Sequence, residues 1–350
     1  VQQSLIIAFS QMHILVSFQL IAVYLTILWA IVMYDMTRRM DVPTVFSLMA
    51  IPIGVFFLTT HLDVNQIGLR FVATLPHDKL ITSLVITPLA IVTTFEYLQK
   101  PSRTGLFLTI ITTMCVMMGH PTVYFYTCVV LGAMTCLYVI GKSHQWRHIV
   151  IIALICGFWM TIPLSIRIIQ ASTGYVFLTD SAEELLEILP QRADRSNVGE
   201  NGEFLGINPE LSNSYVYLTL IAAFVLSLIY YRRSTLFYLI IPIGLLLIGV
   251  LNPYTSILIG WFVTLSQLWR MPWVIPYGVI ATMALWLFCR LISDRLPNWK
   301  PHIQIGMVIL GFVLSMISFI LVMSPAYHQN AEIYASYDNL ALRLIQKRDH

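Results

Sequence analysis

Residues 147 to 167 read Arg147-His148-Ile149-Val150-Ile151-Ile152-Ala153-Leu154-Ile155-Cys156-Gly157-Phe158-Trp159-Met160-Thr161-Ile162-Pro163-Leu164-Ser165-Ile166-Arg167, and no charged residue falls between Ile149 and Ile166. At about 1.5 Å per residue a helix over this run matches the roughly 30 Å of hydrocarbon in a bilayer. Runs of the same kind recur near 12 to 34, 43 to 60, 80 to 98, 105 to 119, 122 to 141, 149 to 169, 214 to 231, 235 to 251, 271 to 291 and 303 to 323. The composition agrees. Of 350 residues, 58% are hydrophobic and only 11% charged, and the mean hydropathy is +0.78, which leaves too little polar surface to cover a soluble globule of this size. Pro52, Pro88, Pro163 and Pro242 fall inside these runs, which favours kinked helices in a bundle. The short alternating segments of a β-barrel are missing. The expected fold is therefore all-α, a polytopic transmembrane helical bundle of about ten spans.

Lysine and arginine give the orientation. Arg38 and Arg39, Lys100 and Arg103, Lys142 and Arg147, Arg232 and Arg233, then Arg290, Arg295 and Lys300 occupy every second gap, the pattern of cytoplasmic loops. Keeping Arg290 to Lys300 on that side requires the apolar stretch 256 to 268 to be a re-entrant or interfacial helix on the outer face. The opposite face then receives 70 to 79, the Gly119-His120-Pro121 turn, the segment 170 to 213, Trp269-Arg270 and the tail after Ser324, with most of the acidic residues.

Residues 1 to 323 thus form one transmembrane helical domain with an outer loop at 170 to 213, and 324 to 350 form an extracytoplasmic tail that has the character of the start of a further domain. Within the loop, Ser181-Ala182-Glu183-Glu184 opens a short amphipathic stretch as a capping box, and turn residues follow it. The chain opens on Val1 without a cleavable signal pattern; since the topology puts Val1 outside, an upstream segment is expected. Cys115, Cys128, Cys136, Cys156 and Cys289 all sit in apolar runs without metal-ligand spacing, so neither a disulfide framework nor a metal site is expected. The net charge of +3 follows from topology, and nothing resembles a nucleic-acid footprint.

Four outer-face features carry chemistry. The stretch 70 to 79 sets Arg70, His77, Asp78 and Lys79 just before a span; its cations suit a phosphate, and Asp78 or His77 suits a base. A solvated loop with a local Asp78 and Lys79 pair is the plainer reading. His120 lies in a turn of a few residues and so at the membrane boundary, as a binding or proton-transfer group or as a satisfied boundary residue. Arg270 stands between Trp269 and Trp273, a guanidinium with aromatic walls facing anionic head groups. Arg167 near the outer end of its span reads as a snorkelling side chain. No nucleotide-binding or hydrolase motif is present, which favours a lipid-linked donor over a soluble nucleotide.

Leu75-Pro76-His77-Asp78-Lys79 before a span, Gly119-His120-Pro121-Thr122 at a tight outer turn and Leu268-Trp269-Arg270-Met271-Pro272-Trp273-Val274-Ile275-Pro276 after a re-entrant segment together resemble the membrane domain of bacterial GT-C-type integral membrane glycosyltransferases. The resemblance covers about residues 12 to 323 and its motifs are short. It implies transfer of a sugar from a polyprenyl-phosphate carrier to an acceptor on the extracytoplasmic face of a bacterial plasma membrane. Arg70, Lys79, Trp269 and Arg270 would hold the carrier phosphate, Asp78 would serve as base or hold a divalent cation, and His120 would support it. One departure stands out: such enzymes carry their main acid in a first outer loop after a first span, and this chain has no such loop. A non-catalytic integral subunit of a larger membrane complex, with other membrane subunits as partners, is the alternative. A transporter or channel fits less well, because nearly all charges sit at span ends.

Overall fold

The computed structural model describes residues 14–60, 78–173, 196–198, 204–207, 214–231, 234–262, 265–296, 298 and 300–324. Their regular structure is helical apart from one small hairpin. Helices α1 (Ile14–Arg39) and α2 (Thr44–Thr59) come first. Next is α3, in which Asp78–Ile81, a π-helical turn at Thr82–Ile86 and Thr87–Gln99 run on as one rod. Helices α4 (Arg103–Gly119), α5 (Pro121–Tyr138), α6 (Arg147–Thr173), α7 (Ser214–Ile229), α8 (Leu236–Leu251) and α9 (Pro253–Phe262) follow. After a 3-10 stretch at Leu265–Val274, α10 (Tyr277–Arg295) and α11 (Lys300–Val322) complete the bundle.

Every expected span carries a helix, but their lengths differ. Lys79–Gln99, Pro121–Ser143, Arg147–Ile166, Tyr277–Arg295 and Pro301–Val322 are long and apolar enough to cross a membrane, while Thr44–Thr59, Arg103–Gly119, Val216–Ile229 and Leu236–Leu251 are shorter apolar helices. So five helices, not ten, meet that measure among the described residues. The shorter ones end where polar or helix-stopping residues do; α8, for example, stops at Asn252, whose side-chain oxygen accepts the Tyr254 and Thr255 N–H groups at 3.0 and 3.3 Å and starts α9.

Two further expectations are corrected. The half-helix at 256 to 268 is instead α9 followed by a separate 3-10 stretch, and the span expected from 271 begins only at Tyr277, because Pro272 and Pro276 deny the chain the backbone donors of a continuous α-helix. Between α6 and α7, Ser196–Val198 and Phe204–Ile207 pair as an antiparallel hairpin with Ser196 opposite Ile207 and Val198 opposite Phe204. The capping-box stretch at Ser181 and the tail 325 to 350 lie outside the described residues.

The core lies among α1, α2, α3, α5, α8 and α10, where Phe95, Tyr124, Tyr126, Leu131, Met134 and Leu239 are fully buried. Helices α6 and α11 dress its outside: 6% and 17% of their spans are buried, against 78% of α3. Small residues bring helices close, as expected where lipid supplies no hydrophobic drive between them. A Cβ on Gly278 of α10 would stand 2.5 Å from the Ala50 carbonyl oxygen and 2.9 Å from the Gly54 Cα of α2.

The basic gaps gather at one end. Arg39, the last residue of α1, pairs with Glu96 of α3 and with Asp35 at 2.6 Å. Burial works against the Arg39 charge, but the two carboxylates outweigh it and hold the guanidinium above its ordinary pKa. Thr235 before α8 donates to the Met40 carbonyl at 2.8 Å. Lys142 sits 5.3 Å from the Tyr238 ring, and Arg290 sits 5.6 Å from the Tyr230 ring. Glu96, the most nearly intramembrane charge in the sequence, is thus a half-exposed partner of Arg39 at this end.

Candidate functional site at the opposite end

The end opposite the basic gaps is built around the turn between α4 and α5. Gly119 closes α4 and Pro121 opens α5, a position where its fixed φ and missing N–H cost nothing. His120 between them is extended (φ −160°, ψ 109°), its own N–H donates to the Val116 carbonyl at 2.9 Å, and its carbonyl accepts the Tyr124 N–H at 2.9 Å. Its ring caps α5, with Nδ1 3.5 Å from the Val123 nitrogen.

From this turn the imidazole meets a residue far along the chain. His120 Nε2 lies 3.4 Å from Arg270 Nη1. Arg270 is carried by the 3-10 stretch, which anchors itself by burying Leu268, Met271, Trp273 and Val274. The guanidinium carbon stands 6.0 Å from the Trp273 ring, and the fully buried Tyr126 of α5 lies within electrostatic reach of its charge. Trp273 is thus the ring beside the guanidinium among the described residues, and the Trp269 side chain lies outside them.

Gly119 ties the first feature to this pair. A Cβ at Gly119 would fall 2.0 Å from Thr82 Oγ1, so the turn before His120 rests directly on the first residue of the π-helical turn of α3. Asp78 is one helical turn before Thr82, about 6 Å along the axis. Lys79 and Asp78 therefore stand at the helix start that touches the His120 turn. Arg70 and His77 lie outside the described residues, as does the side chain of Asp78. Among the described residues no three His, Cys, Asp or Glu side chains gather as metal ligands.

Two of the contacts of His120 make contradictory demands. Capping Val123 requires a lone pair on Nδ1, which puts the proton on Nε2; Nε2–H would then face Arg270 Nη1, another donor. Accepting from Arg270 on Nε2 instead puts the proton on Nδ1 and loses the cap. An acceptor oxygen placed between Nε2–H and the guanidinium is compatible with both contacts and keeps the cap. Phosphate oxygens have this chemistry, and arginine is suited to them.

Comparison with protein-family models, with curated proteins and with solved structures finds no match. The site is accordingly characterised by its own geometry.

Thr82 and Tyr126 escaped the sequence reading, which took Gly119 only as part of the outer turn. A glycine ending a helix and a threonine in an apolar run are ordinary there, and only the helix crossing gives them a role. Replacing Gly119 with alanine is expected to cost about 1 to 3 kcal/mol, the usual range for overpacking, because Thr82 or the turn must move. Adding Thr82→Ala should recover much of the loss. Thermal unfolding of the single and double variants in detergent checks this, and an unperturbed single variant would contradict the close approach.

Proposed function

We propose that this chain is a ten-span, GT-C-type membrane glycosyltransferase of a bacterial plasma membrane, transferring a sugar from a polyprenyl-phosphate carrier to an acceptor hydroxyl on the extracytoplasmic face. In this reading the basic gaps face the cytoplasm, while the loop 170 to 213 and the tail lie outside. The observation that carries it is the meeting of Arg270 with His120, 150 residues apart in sequence, at the end of the bundle away from the basic gaps. Cations and donors there suit a lipid-borne phosphate arriving at membrane depth.

The roles follow from the chemistry. The acceptor oxygen attacks the anomeric carbon, Asp78 takes its proton, and the bond from that carbon to the phosphate oxygen breaks. The charge left on the phosphate is stabilised by Arg270, Lys79 and Arg70, with the His120 Nε2–H as a further donor and Trp269 walling the head group. A divalent cation on Asp78 is the cofactor this reading allows. The bare apolar faces of α6 and α11 fit lipid and a partner subunit equally, so they do not favour an accessory role.

In proteoliposomes supplied with a polyprenyl-phosphate sugar and acceptor, Asp78→Asn is expected to lose transfer by about a hundredfold or more, the scale of general base catalysis, while eluting and melting like the parent. Undiminished transfer by the variant would remove Asp78 from this role.

A further inference from the structure

Ser83, the residue after Thr82, lines a cleft between α1, α2, α3 and the start of α10, where Trp29, Gly54, Leu84, Pro276 and Gly278 form much of the wall. The cleft measures about 300 Å³ up to its open mouth, is narrow at its centre and is almost wholly apolar. Ser83 is the exception. Its side chain is buried, with 1% exposed, and its oxygen meets no hydrogen-bond partner.

Other buried hydroxyls of this bundle bond back to the carbonyl one turn earlier. Thr37 does so to Met33, Thr113 to Thr109, Thr127 to Val123 and Thr135 to Leu131, at 2.6 to 2.8 Å. Ser83 instead stands in the π-helical turn Thr82–Ile86, a widened winding of the kind that recurs at functional positions. A buried hydroxyl left unbonded is destabilising, so an occupant that brings an acceptor oxygen is favoured here. Thr94 and Thr282 are also buried without partners, but neither lines this cleft.

We infer that the cleft seats one acyl chain of a bilayer phospholipid, whose ester carbonyl accepts a hydrogen bond from Ser83 Oγ. Depth names the occupant. Ser83 lies five residues into α3, about 7 to 8 Å along the axis from Asp78, and the ester carbonyls of a bilayer lie at such a depth beneath its charged head groups. The hydrocarbon of a polyprenyl carrier has no oxygen to offer there. A chain seated in the cleft packs between the segment that follows Arg270 and the rod whose Thr82 supports the His120 turn. It therefore braces that end of the bundle whether or not the protein transfers sugar.

The test reconstitutes the full chain in nanodiscs with a trace of a diester phospholipid that carries a diazirine on its acyl chain, a few carbons from the carbonyl. After irradiation the labelled peptides are mapped. The expected adducts fall on the cleft-lining parts of α1 and α3, around Trp29 and Ser83. The ether-linked analogue, which lacks the carbonyl, is expected to label the cleft about three- to tenfold less, the worth of one hydrogen bond. Ser83→Ala should lower diester labelling by the same factor and leave ether labelling unchanged. Adducts confined to the lipid-facing helices α6 and α11, equal labelling by the two lipids, or displacement of the cleft label by polyprenyl phosphate would each overturn the assignment. The comparison of lipids uses wild-type protein, so a poorly folding variant does not obscure it.

Discussion

Arg270→Ala is expected to lower sugar transfer by about a hundred- to a thousandfold, the loss seen when one preorganised donor to a developing oxyanion is removed, equivalent to about 3 to 4 kcal/mol. The reasoning is geometric. Arg270 is held by a 3-10 stretch whose neighbours are buried in the core, so the guanidinium is fixed before any ligand arrives. Fixed donors in a water-poor setting gain most when charge appears on the leaving phosphate. Arg270→Lys should recover little, because an ammonium cannot present the planar fork. The deficit should appear in kcat/KM measured on proteoliposomes, with the melting temperature as a control for folding. Activity within a few-fold of the parent in a folded Arg270→Ala protein would show that this cation does not serve the transfer.

Gly278→Leu is expected to have the largest effect on folding. Even a methyl group at this position would stand 2.5 Å from a backbone oxygen of α2 and 2.9 Å from a backbone carbon. Backbone atoms have no rotamer to escape into, so α2 and α10 must separate along their crossing. That movement also disturbs α11, which packs on the other side of α2. Overpacking costs of about 1 to 3 kcal/mol apply where side chains can shift, and this position should lie at or above the top of that range. The measurement is the yield of monodisperse protein and its unfolding temperature in detergent. A variant that behaves like the parent would contradict the close crossing of the two helices.

Much of the helix count was legible in the sequence for one physical reason: burial in hydrocarbon demands long uncharged runs, and these are visible in any window. Helices lie at each of the runs that composition picks out, and the gaps rich in lysine and arginine gather at one end through Arg39 with Glu96, Thr235 with Met40, and Lys142 with Tyr238. Boundaries set by backbone chemistry were harder to read. Pro272 and Pro276 sit at the start of the apolar run expected from 271, yet they divide it into a 3-10 stretch and a later helix. The hairpin around Val198 and Phe204 was hidden inside a turn-rich loop. At the site, residue type pointed to His120 and Arg270 separately, because a polar group at membrane depth stands out wherever it occurs. Their meeting was not legible. It depends on Gly119 letting α4 rest on Thr82 and on the 3-10 stretch turning Arg270 toward α5, and neither leaves a pattern in spacing or composition.

The measurement that bears most directly on the central claim is a structure of the protein in lipid nanodiscs with polyprenyl phosphate bound. The account predicts a phosphate oxygen within hydrogen-bond reach of both Arg270 Nη1 and His120 Nε2, with Lys79 on the same side of the phosphorus. A phosphate bound at another part of the bundle, with the His120 and Arg270 contact unchanged, would contradict it.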